Sequence, residues 1–336
     1  MTTLAKVAKR AGVSIATVSK VLSNTPYFTE KTRQKVMQAV EELGYVPNLA
    51  ARALSSGKTH IIAVIFPYVF DTIFTDPLVQ HILEGVEAEC SERGYHVLVK
   101  TPRISPDGPD EPYLHLLQSG YIEGIVALDN VPITSVLAPA RARDIPAVAI
   151  GYQEHPFFIH SNDGQGGRLL MRHVLELGHR HIGIITIPEE MNFSIMRRID
   201  GLRLEAEAFQ IDFEAIPQYA GDFSIHSGEI CVQQLLTEHP QITAIICLND
   251  RMALGAMHQA RQMGWSIPDD LTIVGYDDIL GAQYSIPPLT TINQQAPQLG
   301  RVATHMLFEV LNGEEPAPVI LPTELIVRES SAPPRL

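Results

Sequence analysis

The sequence predicts two unlike structures in series. First comes an all-α helix-turn-helix headpiece with a short hinge helix, then a two-subdomain α/β core built on parallel sheets. Three observations carry this. Residues 4 to 22 place apolar side chains at helical spacing on both sides of a glycine. The positive charge of the chain is gathered in residues 1–58. From Ile61 onward, apolar runs of strand length alternate with helical stretches, and the pattern starts again after Asn162.

In the headpiece, Leu4, Val7, Ala8 and Ala11 form one helical stripe, ended by Gly12. Ser14 is placed to cap a second helix that runs to about Leu22. Two helices joined by a tight Gly-containing turn form the helix-turn-helix pattern. The second helix turns Ile15, Ala16, Thr17, Ser19 and Lys20 away from Val18, Val21 and Leu22, as suits a helix laid in a major groove. A third helix is predicted from Glu30 to Leu43, with Thr29 as cap, Gly44 as stop, and Val36, Ala39, Val40 and Leu43 facing inward. LAARAL then follows Pro47-Asn48. A helix so short is marginal alone, because nucleation costs more than its few hydrogen bonds return. By pattern alone, the same helices also fit a small cap on an enzyme.

Charge separates these readings. Residues 1–58 hold nine Lys/Arg and three Asp/Glu, a balance of +6. The whole chain has 25 and 38, so residues 59–336 hold 16 against 35, or −19. Phosphate binding needs a local basic surface, and only the first segment supplies one.

In the core, IIAVIF (61–66), YHVLVK (95–100), IEGIVAL (122–128) and AVAIG (147–151) are strand candidates, with helices about 77–93 and 112–119 between them. The second series has HIGIITI (181–187), TAIICL (243–248) and LTIVGY (271–276), with helices about 166–177, 198–209 and 251–263. Nearly continuous apolar strands alternating with helices imply parallel sheets covered on both faces. Ligands of such sheets sit beyond the carboxyl ends of the strands. That rule selects Asn249 and Asp250 after TAIICL, Asp277 and Asp278 after LTIVGY, and Arg198 at the start of the helix that follows HIGIITI and its loop. A guanidinium, an amide and carboxylates converging on a cleft suit a hydroxylated ligand. Asp250 and Asp278 also fit helix caps or backbone acceptors.

The chain resembles the lac repressor (LacI/GalR) family. The resemblance rests on AGVS-x-x-TVS-[RK] in TLAKVAKRAGVSIATVSKVLSN, and on TR-x-KV-x-x-A with YxPN-x-x-A-x-x-L in TEKTRQKVMQAVEELGYVPNLAARAL. It continues through ELGHRHIGII, LNDRMALGAMHQARQMGWSIPDDLTIVGYDD and PLTTINQQ, covering roughly residues 3 to 329. It implies a headpiece over 1–46, a hinge over 47–58, and a type I periplasmic-binding-protein-like core over 59–336. The N-subdomain is expected at about 59–160 and 291–320, the C-subdomain at about 161–290 and 321–330.

The resemblance also implies site residues. DNA contacts are expected from Thr3, Ser14, Thr17, Ser19, Asn24 and Thr32, with Lys20 as guanine reader. Ile15 and Ala16 are expected to read shape and thymine methyls. Hinge contacts are expected from Asn48, Ala51 and Leu54, the leucine wedging into the minor groove. Effector contacts are expected from Arg198, Asn249, Asp277 and Gln294, with Phe223 stacking on the ligand. One departure stands out: where many members carry NP-[FY]-[FY], this chain has Asp76-Pro77-Leu78-Val79. Asp76 then offers a carboxylate in place of a ring. A sugar or sugar derivative is the expected effector, and a planar nucleobase fits less well.

The implied protein is a DNA-binding repressor that acts as a homodimer on a pseudo-palindromic operator under control of a small-molecule effector. The rival reading is a solute-binding protein feeding a transporter, which shares the core but needs export. No secretory h-region opens the chain and no apolar run approaches the ~20 residues of a membrane span, so a cytoplasmic location and no membrane partner are expected. No leucine heptads follow LPTELIVRES, so a dimer is expected and no tetramerising coil. An enzyme is the weakest alternative. Gly164-Gln165-Gly166-Gly167 fails G-x-G-x-x-G because residue 169 is Leu, and no phosphate-binding P-loop or nucleophile elbow occurs. No cofactor is expected. The three cysteines are far apart, and His173, His179 and His181 read as capping or surface residues rather than metal ligands.

Overall fold

The computed structural model describes residues 2–22, 28–45, 58–67, 73–105, 107–130, 135–151, 155–188 and 192–335. The chain divides into two compact units, Met1–His60 and Ile61–Leu336.

The first unit holds α1 (Leu4–Ala11), α2 (Ile15–Leu22) and α3 (Glu30–Glu42). Gly12 takes the left-handed conformation (φ 68°) that ends α1 and lets the chain turn. Ser14 Oγ accepts from the Thr17 N–H at 3.1 Å, and Thr29 Oγ1 accepts from the Thr32 N–H at 3.3 Å, so both predicted caps form. Val7, Val18 and Val36, one from each helix, are fully buried against one another with Ala8, Val21, Ala39 and Tyr45. Val40 and Leu43 only flank this core.

The second unit is built on two parallel sheets. The first joins β1 (Ile61–Ile65), β2 (His96–Lys100), β5 (Gly124–Leu128), β6 (Ala147–Ile150), β7 (Phe158–Ser161) and β13 (Val319–Leu321), in the order β13-β7-β6-β5-β1-β2. The second joins β8 (Ile182–Thr186), β9 (Gln218–Ala220), β10 (Ala244–Cys247) and β11 (Thr272–Val274), in the order β11-β10-β8-β9. A small hairpin, β3 (Ile104–Ser105) with β4 (Gly108–Pro109), lies outside both.

Helices cover both sheets: α4 (Pro77–Glu92), α5 (Glu111–Gln118), α6 (Ala138–Arg141), α7 (Asp163–Glu176), α8 (Phe193–Ala208), α9 (Ile225–Glu238), α10 (Asp250–Gln262), α11 (Leu280–Tyr284) and α12 (Ala296–Leu311). The sequence reading does not anticipate α9 or α12, nor the antiparallel pair β12 (Thr291–Asn293) and β14 (Glu324–Ile326). These come late in the chain, where α12 returns to pack on α4 beneath the first sheet. No local pattern announces such a return. Among the described residues, no helix is long and apolar enough to cross a membrane.

The chain passes between the two sheets three times: from β7 to α7, from β12 to α12, and from β13 to β14. The passages are tied together. Ser161 Oγ donates to the Gln294 carbonyl at 2.7 Å, Gln295 Nε2 to the Pro322 carbonyl at 2.8 Å, and the Asn162 N–H to the Leu321 carbonyl at 2.9 Å.

One expectation needs correction. Arg198 does not begin its helix, because α8 starts at Phe193 under the Asn192 cap, which places Arg198 in the second turn. The helix predicted from about Gly166 forms as α7, which starts at Asp163 and so takes in Gly164, Gly166 and Gly167. Their role is close approach: a Cβ on Gly167 would sit 2.1 Å from the Arg198 carbonyl oxygen, and one on Gly201 2.1 Å from that of Gly164. Backbone contact between α7 and α8 is what brings Arg198 to the ends of the second sheet.

Candidate functional site

On the headpiece, α2 presents Ile15 (52% exposed), Ala16 and Lys20 to solvent, with Thr17 and Ser19 half-buried at the edge of the face. Ser14 and Thr3 are exposed, while Thr32 is half-buried and its hydroxyl is hydrogen-bonded to that of Thr29 at 3.0 Å. The first turn of α2 carries no acidic residue, so nothing opposes the positive end of its dipole. This is a surface that can meet phosphates and base edges. Asn24, Asn48, Ala51 and Leu54 lie outside the described residues.

In the core, the carboxyl ends of the parallel strands of both sheets surround a cavity of about 140 Å³. All six predicted effector residues line it: Asp76, Arg198, Phe223, Asn249, Asp277 and Gln294. Four of them arrive by a single rule. Phe223 follows β9, Arg198 lies beyond β8, Asn249 follows β10 and Asp277 follows β11. Asp278 and Asp250 are held elsewhere. Asp250 accepts from the Ile279 N–H at 2.9 Å and from the Thr291 hydroxyl, while Asp278 pairs with Arg328 at 2.6 Å.

Arg198 anchors the site. It is 4% exposed, donates from Nε to Asp163 at 2.8 Å and from Nη1 to the Leu248 carbonyl at 2.6 Å, and lies 3.7 Å from Asp277. Its guanidinium stacks 3.6 Å over the Tyr276 ring, and the Tyr276 hydroxyl donates to the same Asp163. Burial disfavours its charge, but Asp163, Tyr276 and Asp277 outweigh burial and hold its pKa above the ordinary value. Burial pushes the Asp277 carboxyl well up, partly offset by Arg198 and reinforced by nearby carboxylates, and Gln294 Nε2 donates to its Oδ1. Asp277 (φ 120°) and Phe223 (φ 68°) both adopt left-handed backbone, a strain that non-glycine residues bear where the fold holds a side chain in one position.

Two contacts span the cleft. Asp76 caps α4 through the Leu78 N–H (3.0 Å) and reaches Arg251 on α10 at 3.4 Å. On the other side Asn130, just past β5, donates to Asn192 and Ser194 at the start of α8, and its carbonyl accepts from the Phe193 N–H at 3.0 Å. Asn130 is 6% exposed and lines the cavity, and its Oδ1 is the one buried side-chain oxygen or nitrogen among the described residues left without a partner. An open acceptor at that depth suits a ligand hydroxyl. The sequence reading missed Asn130, although IVALDN offers the strand-end signal that selected Asn249. The histidines near 179 serve another purpose: His173 and His179 bond to Ser331 and the Ala332 carbonyl, fastening the C-terminal segment.

Residues 3–48 match the family described as bacterial regulatory proteins, lacI family, and residues 171–331 match the periplasmic binding protein-like domain. The HTH-type transcriptional regulator CelR of Thermobifida fusca is 32% identical over 338 residues, which are 98% of each chain. The crystal structure of the lac repressor dimer bound to operator and the anti-inducer ONPF superposes with a TM-score of 0.83 at 28% identity, over 98% of this chain and 99% of that one. A CelR–cellobiose complex matches with a TM-score of 0.71 at 29% identity, over 98% and 100%.

Proposed function

The chain belongs to the lacI family of bacterial regulatory proteins, and we propose that it is a repressor that holds operator DNA as a homodimer and is switched by a small sugar in the core cavity. It is a transcriptional regulator, not an enzyme. The observation that carries the sugar reading is the cavity itself. Arg198, Asn249, Asp277 and the open Asn130 Oδ1 converge on one ring-sized space, an arrangement that matches several hydroxyls at once.

On DNA, Thr17 and Ser19 contact phosphates, Lys20 reads guanine, and Ile15 and Ala16 read shape and thymine methyls. One headpiece offers few base contacts, and a two-fold dimer doubles them. Ile225 on α9 and Leu280 and Tyr284 on α11, apolar side chains 47%, 62% and 74% exposed, support that reading. Leu254 of α10 lies beside α11, its Cδ1 3.0 Å from where a Cβ on Gly281 would be.

Switching follows from the contacts across the cleft. A ligand hydroxyl at Asn130 or Asp76 alters the links to Ser194 and Arg251, so open and closed arrangements bind ligand with different affinity, as any population shift requires. The two sheets correspond, in this reading, to the N- and C-subdomains. The test is a gel-shift assay with the DNA upstream of the gene, titrated with sugars that also raise the melting temperature of the purified protein. Retardation that responds to such a sugar is the expected result. No duplex held above background at low salt overturns the reading, and a monomer in sedimentation at the concentration that retards DNA overturns the dimer.

A further inference from the structure

One edge of the second sheet is covered by a chain segment that two histidines hold down. β11 is the edge strand in the order β11-β10-β8-β9, and an open edge is a template for another strand. Residues 328–335 form a strap along it. The Ile273 N–H donates to the Ser330 carbonyl at 3.0 Å, the Ser330 hydroxyl donates to the Ile273 carbonyl at 2.6 Å, and the Ala332 N–H donates to Thr272 Oγ1 at 3.0 Å. Ser330 is fully buried. The strap also grips the chain that follows α11. Arg328 donates to the Leu289 carbonyl at 2.8 Å, the Glu329 N–H to the Pro288 carbonyl at 3.1 Å, and the Thr290 N–H to Ser330 Oγ at 2.8 Å.

The middle of the strap is fastened by His173 on α7 and His179 in the turn after it. His173 Nε2 lies 2.9 Å from the Ser331 hydroxyl. His179 is 1% exposed, with Nε2 2.9 Å from the Ala332 carbonyl and Nδ1 2.9 Å from the Thr243 hydroxyl. A carbonyl only accepts, so Nε2 carries the proton of the neutral ring and Nδ1 accepts from Thr243. A second proton puts a buried charge beside Arg180 and His173, groups of the same sign. Glu176 is the carboxylate that acts on His173. From the sheet, Thr243 and Thr272 face the strap and neither titrates, and His181 stands exposed in the same turn as His179. The strap itself carries Arg328, paired with Asp278, then Glu329, and then Arg335, paired with Asp269 and Asp270. Burial pushes both imidazoles below their ordinary value; the Ala332 bond opposes this at His179, and Glu176 opposes it at His173.

We infer that residues 328–335 are an acid-released clasp: when His173 and His179 take up protons the strap leaves β11, and the 288–290 segment after α11 loosens with it. This response to mild acid goes beyond the sugar switch and does not depend on it. A released imidazole takes its proton near the ordinary ~6.5, before a fastened one does, so falling pH favours release. Other groups here do not imitate the effect. The Ser266 N–H, with Arg335, holds the Asp270 carboxyl below the ordinary carboxylate range, so that ion pair survives mild acid. Burial raises the Asp250 carboxyl, so acid favours its buried form and steadies its surroundings.

The test is hydrogen exchange of the full-length protein at pH 7.5 and pH 5.5, with rates corrected for the intrinsic effect of pH. The amides of Ile273, Leu289, Thr290 and residues 328–332 are expected to open ~10-fold or more often at the lower pH, while those of β1 and β5 are unchanged. The double variant His173→Gln, His179→Gln keeps a donor for each partner and cannot titrate, so it should show no acid-induced rise. Should it fail to fold by circular dichroism, His173→Gln alone is read in its place, with the rise reduced ~3-fold or more. Equal corrected exchange at the two pH values, a rise of the same size in wild type and variant, or a rise that extends to β1 and β5 overturns the clasp. Each of these outcomes leaves the regulator reading standing.

Discussion

The headpiece and the core place their candidate functional side chains oppositely. On α2, Ile15 and Lys20 face solvent, and the buried residues Val7, Val18 and Val36 serve only to hold the helices together. In the core, Arg198, Asn249, Asp277 and Gln294 are between 2% and 7% exposed, and the residues proposed to hold the effector are also residues the fold rests on. The difference teaches what mutation can separate. A reader on a surface can be removed without touching stability. A charge group inside a cleft cannot, because its partners remain buried and uncompensated.

The largest expected effect is therefore at Arg198. Arg198→Met leaves Asp163 and Asp277 without their counter-charge, and should cost the core ~3–5 kcal/mol in urea unfolding and abolish the sugar response. A loss near the ~1 kcal/mol of a surface pair would break the contrast between the two regions. Next is a pH effect of a few kcal/mol at most. Burial raises Asp250 from 3.8 to about 7, opposed by hydrogen bonds from Thr291 and Ile279. An acid whose pKa is raised in the fold stabilises least when ionised, so its contribution is lost as pH climbs from about 4 through about 7. The melting temperature of Asp250→Asn should fall less steeply than wild type across that window, and parallel curves would remove Asp250 as the cause.

Lys20→Ala is expected to weaken specific operator binding by ~1–3 kcal/mol while the melting temperature stays put. A stability loss of the same size would mean that the reader face is structural after all. Smallest is Thr29→Ala, which removes the cap of α3 and should destabilise the headpiece by ~1 kcal/mol, with core unfolding unchanged.

Much of this was legible in the sequence, and what was not has a physical reason. Three helices, their caps at Ser14 and Thr29 and the turn at Gly12 follow from local spacing, since each is decided within a few residues. The parallel strands are equally plain, because a strand buried on both faces must be apolar along its length. Strand ends then select Asn249 and Asp277. Asn130 escaped although it obeys the same rule, because its meaning lies in reaching Ser194, 64 residues away, across the cleft.

What the sequence determined by itself is the division of labour: a basic helical reader, an acidic two-sheet core, and a short list of polar residues at strand ends. Only the tertiary structure decided how those residues act. The α7–α8 glycine contact brings Arg198 to the ends of the second sheet, Asp163 and Tyr276 hold it there, and the returning helix α12 adds Leu299 to the lining of the cavity. Such outcomes depend on which distant backbones meet at van der Waals distance. That is fixed by packing over the whole core and carries no local signature in the chain.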